Sequence, residues 1–144
     1  MVFIIDNKDN LWVAGNTNDD HQFTNTNIKA ISVSCGSYHT AIIDENNYLW
    51  VTGDNKSGQL GLGHTNNVRK ITNTNIKVIS VSCGYYHTTI IDEDGYLWVT
   101  GSNKFGQLGL GHNNDVHQFT KIEDFIPKIP SNRFKKTKSA RKID

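Results

Sequence analysis

Apolar and polar residues alternate in short runs along this chain, and no stretch shows the 3.6-residue apolar period of a helix. The run Ile31–Cys35 alternates apolar with small polar residues, as a strand with one buried face does. Further runs rich in strand-forming residues cover His39–Ile43 and Tyr48–Thr52, and a fourth lies near Val68–Thr72. The pattern predicts an all-β chain.

Glycine and polar clusters separate these runs. Gly36 and Ser37 end the first run, and Asp44–Asn47 makes a polar turn between the second and third. The matching turn further along reads Asp92–Gly95, and its Asp-Gly pair is a strong hairpin signal because both residues tolerate positive φ. A glycine-rich excursion, Lys56–His64, precedes the fourth run. We therefore expect short antiparallel strands joined by tight turns.

The whole series of runs occurs twice. Asn27–Thr74 returns 48 residues later as Asn75–Ile122, with 34 of the 48 aligned positions identical. A shorter copy precedes them, because Leu11–Gly15 resembles Leu49–Gly53 and Leu97–Gly101. A period of this length is typical of stacked or radially arranged units that are too small to bury their own apolar faces. We divide the chain into a partial first copy (1–26), a second copy (27–74), a third copy (75–122) and a basic tail (123–144).

Four antiparallel strands in fewer than about 50 residues match the size of one propeller blade. The sequence thus predicts a partial β-propeller built from four-stranded antiparallel blades. The first copy begins at the second strand, Val2–Asp6, and its glycine-rich loop is short: Gly15 and His21 are 6 positions apart, whereas Gly101 and His117 are 16 apart. The chain therefore holds about two and a half blades.

The two long copies share a specific pattern: a strand ending in Cys-Gly, a Gly-x-x-His step, an acidic hairpin, a Trp-containing strand and a Gly-Gln-Leu-Gly loop. This pattern resembles the repeat of the regulator-of-chromosome-condensation family, over roughly residues 2–122. We interpret the shared residues as structural repeat positions. They are Gly36, His39, Trp50, Gly53, Gly58, Gln59, Leu60 and Gly61, then Gly84, His87, Trp98, Gly101, Gly106, Gln107, Leu108 and Gly109.

The resemblance implies that the complete fold is a closed seven-bladed propeller. It also implies, for founding members, guanine-nucleotide exchange on a small nuclear GTPase together with docking on chromatin. Exchange needs a wide, complete propeller face, and this chain lacks most of the blades. An open array also leaves sheet edges and an uncapped apolar flank, which favour association. We expect self-association or instability in preference to a well-behaved monomer.

The glycine-rich segments Gly58–Gly63 and Gly106–Gly111 superficially suggest a phosphate loop. A Walker loop needs Gly-Lys-Ser/Thr entering a helix, and a dinucleotide fingerprint needs a strand-to-helix turn. Neither occurs, because His64 and His112 follow and then polar residues. We expect the glycines to permit tight turns and the leucines to plug a neighbouring blade.

Cysteine and histidine recur as Cys-x-x-x-His, at Cys35 with His39 and at Cys83 with His87. A zinc site needs such ligands to converge on one point, whereas repeat geometry spreads equivalent side chains apart. We expect each histidine to hydrogen-bond blade backbone. The two cysteines could pair by number alone, but the separation of adjacent units favours two buried thiols in core strands.

Trp12, Trp50 and Trp98 occupy one repeat position, where their bulk is expected to fill the core between blades, with ligand stacking as a minor alternative. The acidic pairs Asp44-Glu45 and Asp92-Glu93 lie in hairpin turns and are expected to be solvated, because glycosidase chemistry needs carboxylates facing each other across a cleft. The sequence shows no catalytic triad, metal constellation or cofactor loop. We therefore predict a protein that is not an enzyme and that uses no metal or other cofactor.

Charge is unevenly distributed along the chain. Residues 1–120 carry a net charge of −4 and residues 121–144 a net charge of +5. The tail either forms a nuclear-import or nucleic-acid patch or acts as a solubilising extension. No apolar run approaches the roughly 20 residues of a membrane span, and the start lacks a secretory n-region, so we expect an intracellular protein, in cytoplasm or nucleus, with no membrane partner. The candidate patch comprises Arg133, Lys135, Lys136, Lys138, Arg141 and Lys142.

These observations favour a protein–protein interaction module of unknown partner, because propeller loops vary while the strands hold them rigidly. Two alternatives stay open. One is a regulator of a small GTPase with chromatin association, and the other is a non-functional remnant of a longer propeller gene. Copies of the chain could also assemble with one another to complete a propeller.

Overall fold

The computed structural model describes residues 1–15 and 21–123, and this part of the chain contains strands and turns but no helix. Nine strands follow one another in a single antiparallel order, each paired with its neighbours in sequence. The strands are β1 (Val2–Ile5), β2 (Asn10–Ala14), β3 (Thr24–Cys35), β4 (His39–Asp44), β5 (Tyr48–Gly53), β6 (Val68–Cys83), β7 (His87–Asp92), β8 (Leu97–Gly101) and β9 (Val116–Lys121).

Two long strands divide this order into three blades. The first half of β3 pairs with β2, and its second half, from Ala30 onward, pairs with β4. β6 likewise pairs first with β5 and then, from Val78 onward, with β7. Blade 1 is thus β1, β2 and the start of β3; blade 2 runs from the end of β3 through β4 and β5 to the start of β6; blade 3 comprises the rest. The all-β partial propeller predicted from the sequence is confirmed, and blades 2 and 3 have four strands each.

The continuity of β3 and β6 differs from the separate strands that the sequence suggested. Asn27 and Asn75 take positive φ, 62° and 60°, in the middle of these strands. The Asn25 side chain accepts the Asn27 amide proton at 2.8 Å, and Asn73 does the same for Asn75. Such local Asx hydrogen bonds turn the backbone without ending the strand. Each long strand is therefore the last strand of one blade and the first strand of the next.

The apolar core lies between blades. One cluster joins Phe3, Leu11 and Val13 of blade 1 to Ala30 and Ile42 of blade 2. A second cluster joins blade 2 to blade 3, and adjacent residues of β4 point to opposite clusters because side chains alternate along a strand. Every residue of β4 is consequently buried. The second cluster comprises Ala41, Ile43, Leu49, Val51, Leu60, Val78, Ile90 and Phe119.

None of the residues with a described structure forms a helix long and apolar enough to cross a membrane.

Candidate functional site

Three tyrosines meet at one end of blades 2 and 3. Tyr38 lies in the turn between β3 and β4, and Tyr85 and Tyr86 lie in the matching turn before β7. The Tyr38 and Tyr86 rings stack with centroids 5.4 Å apart and 11° between their planes. Tyr85 meets both edge-on, at 5.8 Å from Tyr38 and 4.7 Å from Tyr86. Both geometries are favourable for aromatic pairs, so the two blades build one joint aromatic surface.

This tyrosine surface borders a concave cavity of about 900 Å³. Tyr38 is 53% exposed, Tyr85 60% and Phe105 93%, so three large rings face solvent around one depression. Lys56 and Lys104 also line the cavity. Exposed rings in a concavity with charged neighbours are typical of sites that contact another molecule.

The tyrosine surface carries little charge of its own. A hydrogen bond with the neighbouring Tyr38 hydroxyl raises the pKa of Tyr85, because that bond favours the protonated phenol. The repeat pattern alone did not indicate these residues. The available signal was Tyr85, which stands where the second copy has Ser37.

His39 makes a side-chain hydrogen bond between blades 2 and 3. Its Nε2 lies 2.8 Å from the Thr88 hydroxyl oxygen, and that hydroxyl donates its single proton to the Gln59 carbonyl at 2.6 Å. Nε2–H must therefore be the donor, which leaves Nδ1 without a proton. Nδ1 is buried and has no hydrogen-bond partner among the described residues. Burial lowers the pKa of His39 to about 4, so the ring is neutral near pH 7.

His87 occupies the equivalent place in blade 3 and lines the tyrosine cavity. Burial lowers its pKa as well. Within the described residues, no group of three or more His, Cys, Asp or Glu side chains is arranged to hold a metal ion. The histidines thus belong to separate blades, and His39 hydrogen-bonds the Thr88 hydroxyl of the next blade, where we expected a hydrogen bond to blade backbone.

The glycine-rich loop of the second copy docks onto blade 3. The Gly63 amide donates to the His117 carbonyl at 2.9 Å, and Leu62 pairs with Gln118 as an isolated bridge. Gly58 packs on His117 and Gly61 on the Phe119 ring, so neither position has room for a Cβ. In the same docked segment, Gln59 and Leu60 are fully buried.

In the third copy, no blade formed by the described residues lies beside the same loop. Gly106 and Gly111 face open space, and Gln107 is exposed, whereas its counterpart Gln59 is buried. Leu108 remains buried within its own loop. The repeat positions therefore have two environments, one docked and one open.

Each hairpin is closed by an aspartate and a tryptophan. Asp44 accepts the amide protons of Asn46 and Tyr48, both at 2.9 Å, and the indole proton of Trp50 at 2.8 Å. Asp92 and Trp98 repeat this contact. Asp44 is only 8% exposed. The expectation of a solvated carboxylate is wrong for Asp44, because its oxygens satisfy the turn.

The three tryptophans are half-buried rather than enclosed. Trp50 packs against the cluster between blades 1 and 2, and Trp98 against the cluster between blades 2 and 3. In blade 1 the indole of Trp12 donates to Asp6, and that hydrogen bond, with one from Asn10, holds the pKa of the Asp6 carboxyl well below its usual range.

Cys35 and Cys83 are free thiols. Cys35 is exposed, so the expectation that both are buried in core strands is wrong for this residue. It ends β3 at the rim of the sheet, where the chain turns toward β4. Cys83 is half-buried, and burial raises the pKa of its thiol.

The basic patch predicted in the tail lies outside the described residues, as do residues 16–20. The structure therefore describes the blades and their loops and does not test the predicted basic patch.

Two family models, both described as the regulator of chromosome condensation (RCC1) repeat, match this chain. One matches residues 30–59 and 78–107, and the other residues 46–91 and 94–140. An RCC1 repeat-containing protein of Schizosaccharomyces pombe is 52% identical over 29 residues, which cover 20% of this chain and 8% of that protein.

Solved structures of this fold resemble the chain. Yeast RCC1 (Prp20), in a complex with Kap60, matches with a TM-score of 0.71 and 18% identity over 84% of this chain and 34% of its own. Prp20p of Saccharomyces cerevisiae, whose structure was described together with its binding to Gsp1p and histones, matches at the same score. Human WBSCR16 matches with a TM-score of 0.70 and 18% identity over 84% of this chain and 36% of its own.

The chain spans about a third of the length of these solved proteins. Identity of 18% establishes the shared fold and no more. The second family model covers more than half of the chain, across both long copies. This chain belongs to the RCC1 repeat family.

Proposed function

We propose that the chain is a non-enzymatic interaction module that binds another protein through the tyrosine surface. One observation carries the proposal: the rings of Tyr38, Tyr85 and Phe105 remain largely exposed around a single cavity that spans two blades. Exposed aromatic clusters carry much of the binding energy at protein interfaces. The turns and the loop that carry these rings are anchored at both ends by strands, so a partner would meet a preformed surface.

The chemistry of the surface suggests what it contacts. Stacked phenol rings accept apolar side chains or a guanidinium group over their faces. Lys56 and Lys104 supply positive charge at the cavity, with Asp54 as the acidic neighbour. A protein segment carrying an apolar or arginine anchor beside a carboxylate fits this arrangement.

Site-specific photocrosslinking tests the proposal. A crosslinker placed at position 85 should capture a partner protein, whereas one at Tyr96, at the opposite end of blade 3, should not. The captured protein is then identified, purified and titrated against the chain. Tyr85→Ser restores the residue that the second copy carries, so it should leave the fold intact while weakening binding about tenfold or more.

Tyr96→Ser is the matched control and should leave affinity unchanged. Equal capture from both positions, or a partner whose affinity ignores both Tyr38→Ser and Tyr85→Ser, contradicts the proposal.

A second candidate is nucleotide exchange on a small GTPase, and the likeness to Prp20p, which binds Gsp1p and histones, favours it. The chain spans only 34% of Prp20 in the Kap60 complex, so we rank this function lower. Nucleotide release from the purified GTPase should proceed at its intrinsic rate when the chain is added. Accelerated release would reverse this ranking.

A further inference from the structure

The open loop of the third copy already has the conformation of the docked loop. Asn103 accepts the Leu108 amide proton at 3.0 Å and donates to the His112 carbonyl at 2.8 Å. Asn55 makes the same two bonds in the docked loop, to Leu60 and His64. A binding segment that is ordered before it meets its partner loses little entropy on docking.

The positive φ angles of the glycines also agree between the loops. They are 79°, 70° and 83° at Gly58, Gly61 and Gly63, and 72°, 68° and 81° at Gly106, Gly109 and Gly111.

The strand that receives the docked loop has a distinctive sequence. His117, Gln118 and Phe119 of β9 contact the loop, and Thr120 follows them. The same four residues, His-Gln-Phe-Thr, occur at 21–24 in the first copy. Their register is also the same, because Val13 pairs with Thr24 as Val99 pairs with Thr120.

Blade 2 carries a different sequence at this place. Thr72 has the equivalent register, opposite Val51, and is preceded by Arg69-Lys70-Ile71. The loop that would dock there belongs to the first copy, which has the short connection between Gly15 and His21. His-Gln-Phe thus occurs in the blade that receives a long loop and in blade 1, which receives no such loop from the described residues.

Blade 1 also exposes the apolar face that such a neighbour would cover. Ile42 and Ile90 are buried between blades, at 0% and 2% exposure, whereas their equivalent Ile4 is 44% exposed. Phe119 is 8% exposed under the docked loop, and its equivalent Phe23 is 45% exposed.

We propose that the third-copy loop of one chain docks onto His21–Phe23 of a second copy of the same chain. The surface is thus an interface between copies, with a loop on one side and the edge of blade 1 on the other. Such head-to-tail contacts close into rings when the rotation permits. Two chains supply six blades, within the range of about 4–8 found in propellers.

The contact between chains is weaker than the one within a chain. In blade 3, Thr88 and Thr100 donate to the loop carbonyls of Gln59 and Gly58 at 2.6 and 2.7 Å. Val2 and Ala14 pair at the equivalent register of blade 1 and have no hydroxyl. The dimer is therefore expected to dissociate on dilution.

Light scattering over a concentration series tests the proposal. The purified chain should approach a mass of twice 16.2 kDa at high concentration and return to 16.2 kDa on dilution. Phe23→Glu places a charge on an exposed position, so it should leave the circular dichroism spectrum unchanged and weaken dimerisation at least tenfold. A chain that stays at 16.2 kDa throughout, or a dimer that ignores Phe23→Glu, overturns the proposal.

Phe105→Ser is the control for non-specific association. Phe105 is the most exposed large hydrophobic residue at 93%, and the docked loop carries Ser57 at its position. Docking tolerates serine there, so the variant should still dimerise. If this variant abolishes association instead, the association arises from non-specific hydrophobic contacts of the Phe105 ring, and the assigned interface is wrong.

A mixing experiment tests the pairing of the two surfaces. Leu110→Glu damages the loop, at the position where Leu62 bridges to Gln118 in the docked copy, and leaves blade 1 intact. Each of Leu110→Glu and Phe23→Glu alone should be monomeric, yet an equal mixture should form dimers, because one intact loop meets one intact His21–Phe23 segment. Absence of such rescue between two folded variants contradicts the proposal.

Discussion

A single ring nitrogen makes the contact between blades 2 and 3 sensitive to pH. His39 Nδ1 is buried and has no acceptor among the described residues, so a proton added there would leave a charged N–H unsatisfied. The Thr88 hydroxyl is already committed to the Gln59 carbonyl and cannot compensate. The neutral tautomer is thus part of the fold.

The free energy of unfolding should therefore fall as pH falls from about 6.5 toward 4. The pKa of His39 is about 4 in the folded chain against 6.5 for the free group, so the unfolded state takes up the proton first. The stabilisation is complete above 6.5 and decreases by at most about 1.4 kcal/mol per pH unit below it. Urea titrations between pH 4 and 7 measure this slope.

His39→Gln serves as the comparison in these titrations. It should flatten the pH dependence, although His87, whose pKa is also lowered, will contribute a remainder. Equal slopes in the parent and the variant would show that His39 takes up its proton as readily folded as unfolded.

A comparison of two glycines distinguishes the energy of loop docking from the cost of backbone strain, because they differ mainly in their neighbours. Gly61 and Gly109 have nearly the same φ, 70° and 68°, but only Gly61 lies against the Phe119 ring. Alanine at either position costs about 1 kcal/mol in strain, and at Gly61 a further 1–3 kcal/mol of overpacking. Denaturant unfolding in the Phe23→Glu background, which is expected to be monomeric, should show that Gly61→Ala loses more stability than Gly109→Ala. Equal losses at both positions would contradict docking of the loop.

Among the elements, the β4–β5 hairpin is closed by one carboxylate. Asp44 holds two turn amides and the Trp50 indole, and the same aspartate–tryptophan contact recurs in all three blades. The sequence shows the aspartate and the tryptophan six residues apart, but their contact depends on the antiparallel register, which brings the ring back over the turn.

Asp44→Ala should destabilise the fold by about 2–4 kcal/mol, because it removes charge-assisted hydrogen bonds and leaves the amides and indole unsatisfied. Glu45→Ala, next to it and exposed, is the control and should change stability by less than about 0.5 kcal/mol. Thermal unfolding followed by tryptophan fluorescence measures both. Similar losses of stability for the two variants would contradict the role of Asp44 in closing the hairpin.

Strand positions were predictable because alternation is a local property of the sequence. The continuity of β3 and β6 was not, since the repeat boundaries fall at Asn27 and Asn75 and only the pairing on both sides shows that the strand continues. The burial of Asp44 was missed for a similar reason: a hairpin carboxylate looks solvated until its three donors are in place.

For the whole molecule, the 48-residue repeat was enough to predict a partial propeller. It did not reveal the tyrosine surface, because Tyr38 and Tyr85 belong to different copies and meet through the angle between blades. Nor did it show that equal loops have unequal environments. Gly63 donates to the His117 carbonyl, whereas Gly111 has no acceptor in the described part of the chain.

Amide hydrogen exchange at Gly63 and Gly111, measured against protein concentration, tests the central claim that loops dock onto His-Gln-Phe segments. Gly63 should be protected at every concentration. Gly111 should exchange quickly in dilute solution, become protected as the concentration rises, and stay fast in Phe23→Glu. If the two amides exchange alike in dilute solution, or if Gly111 never gains protection, loop docking does not hold the blades or the chains together.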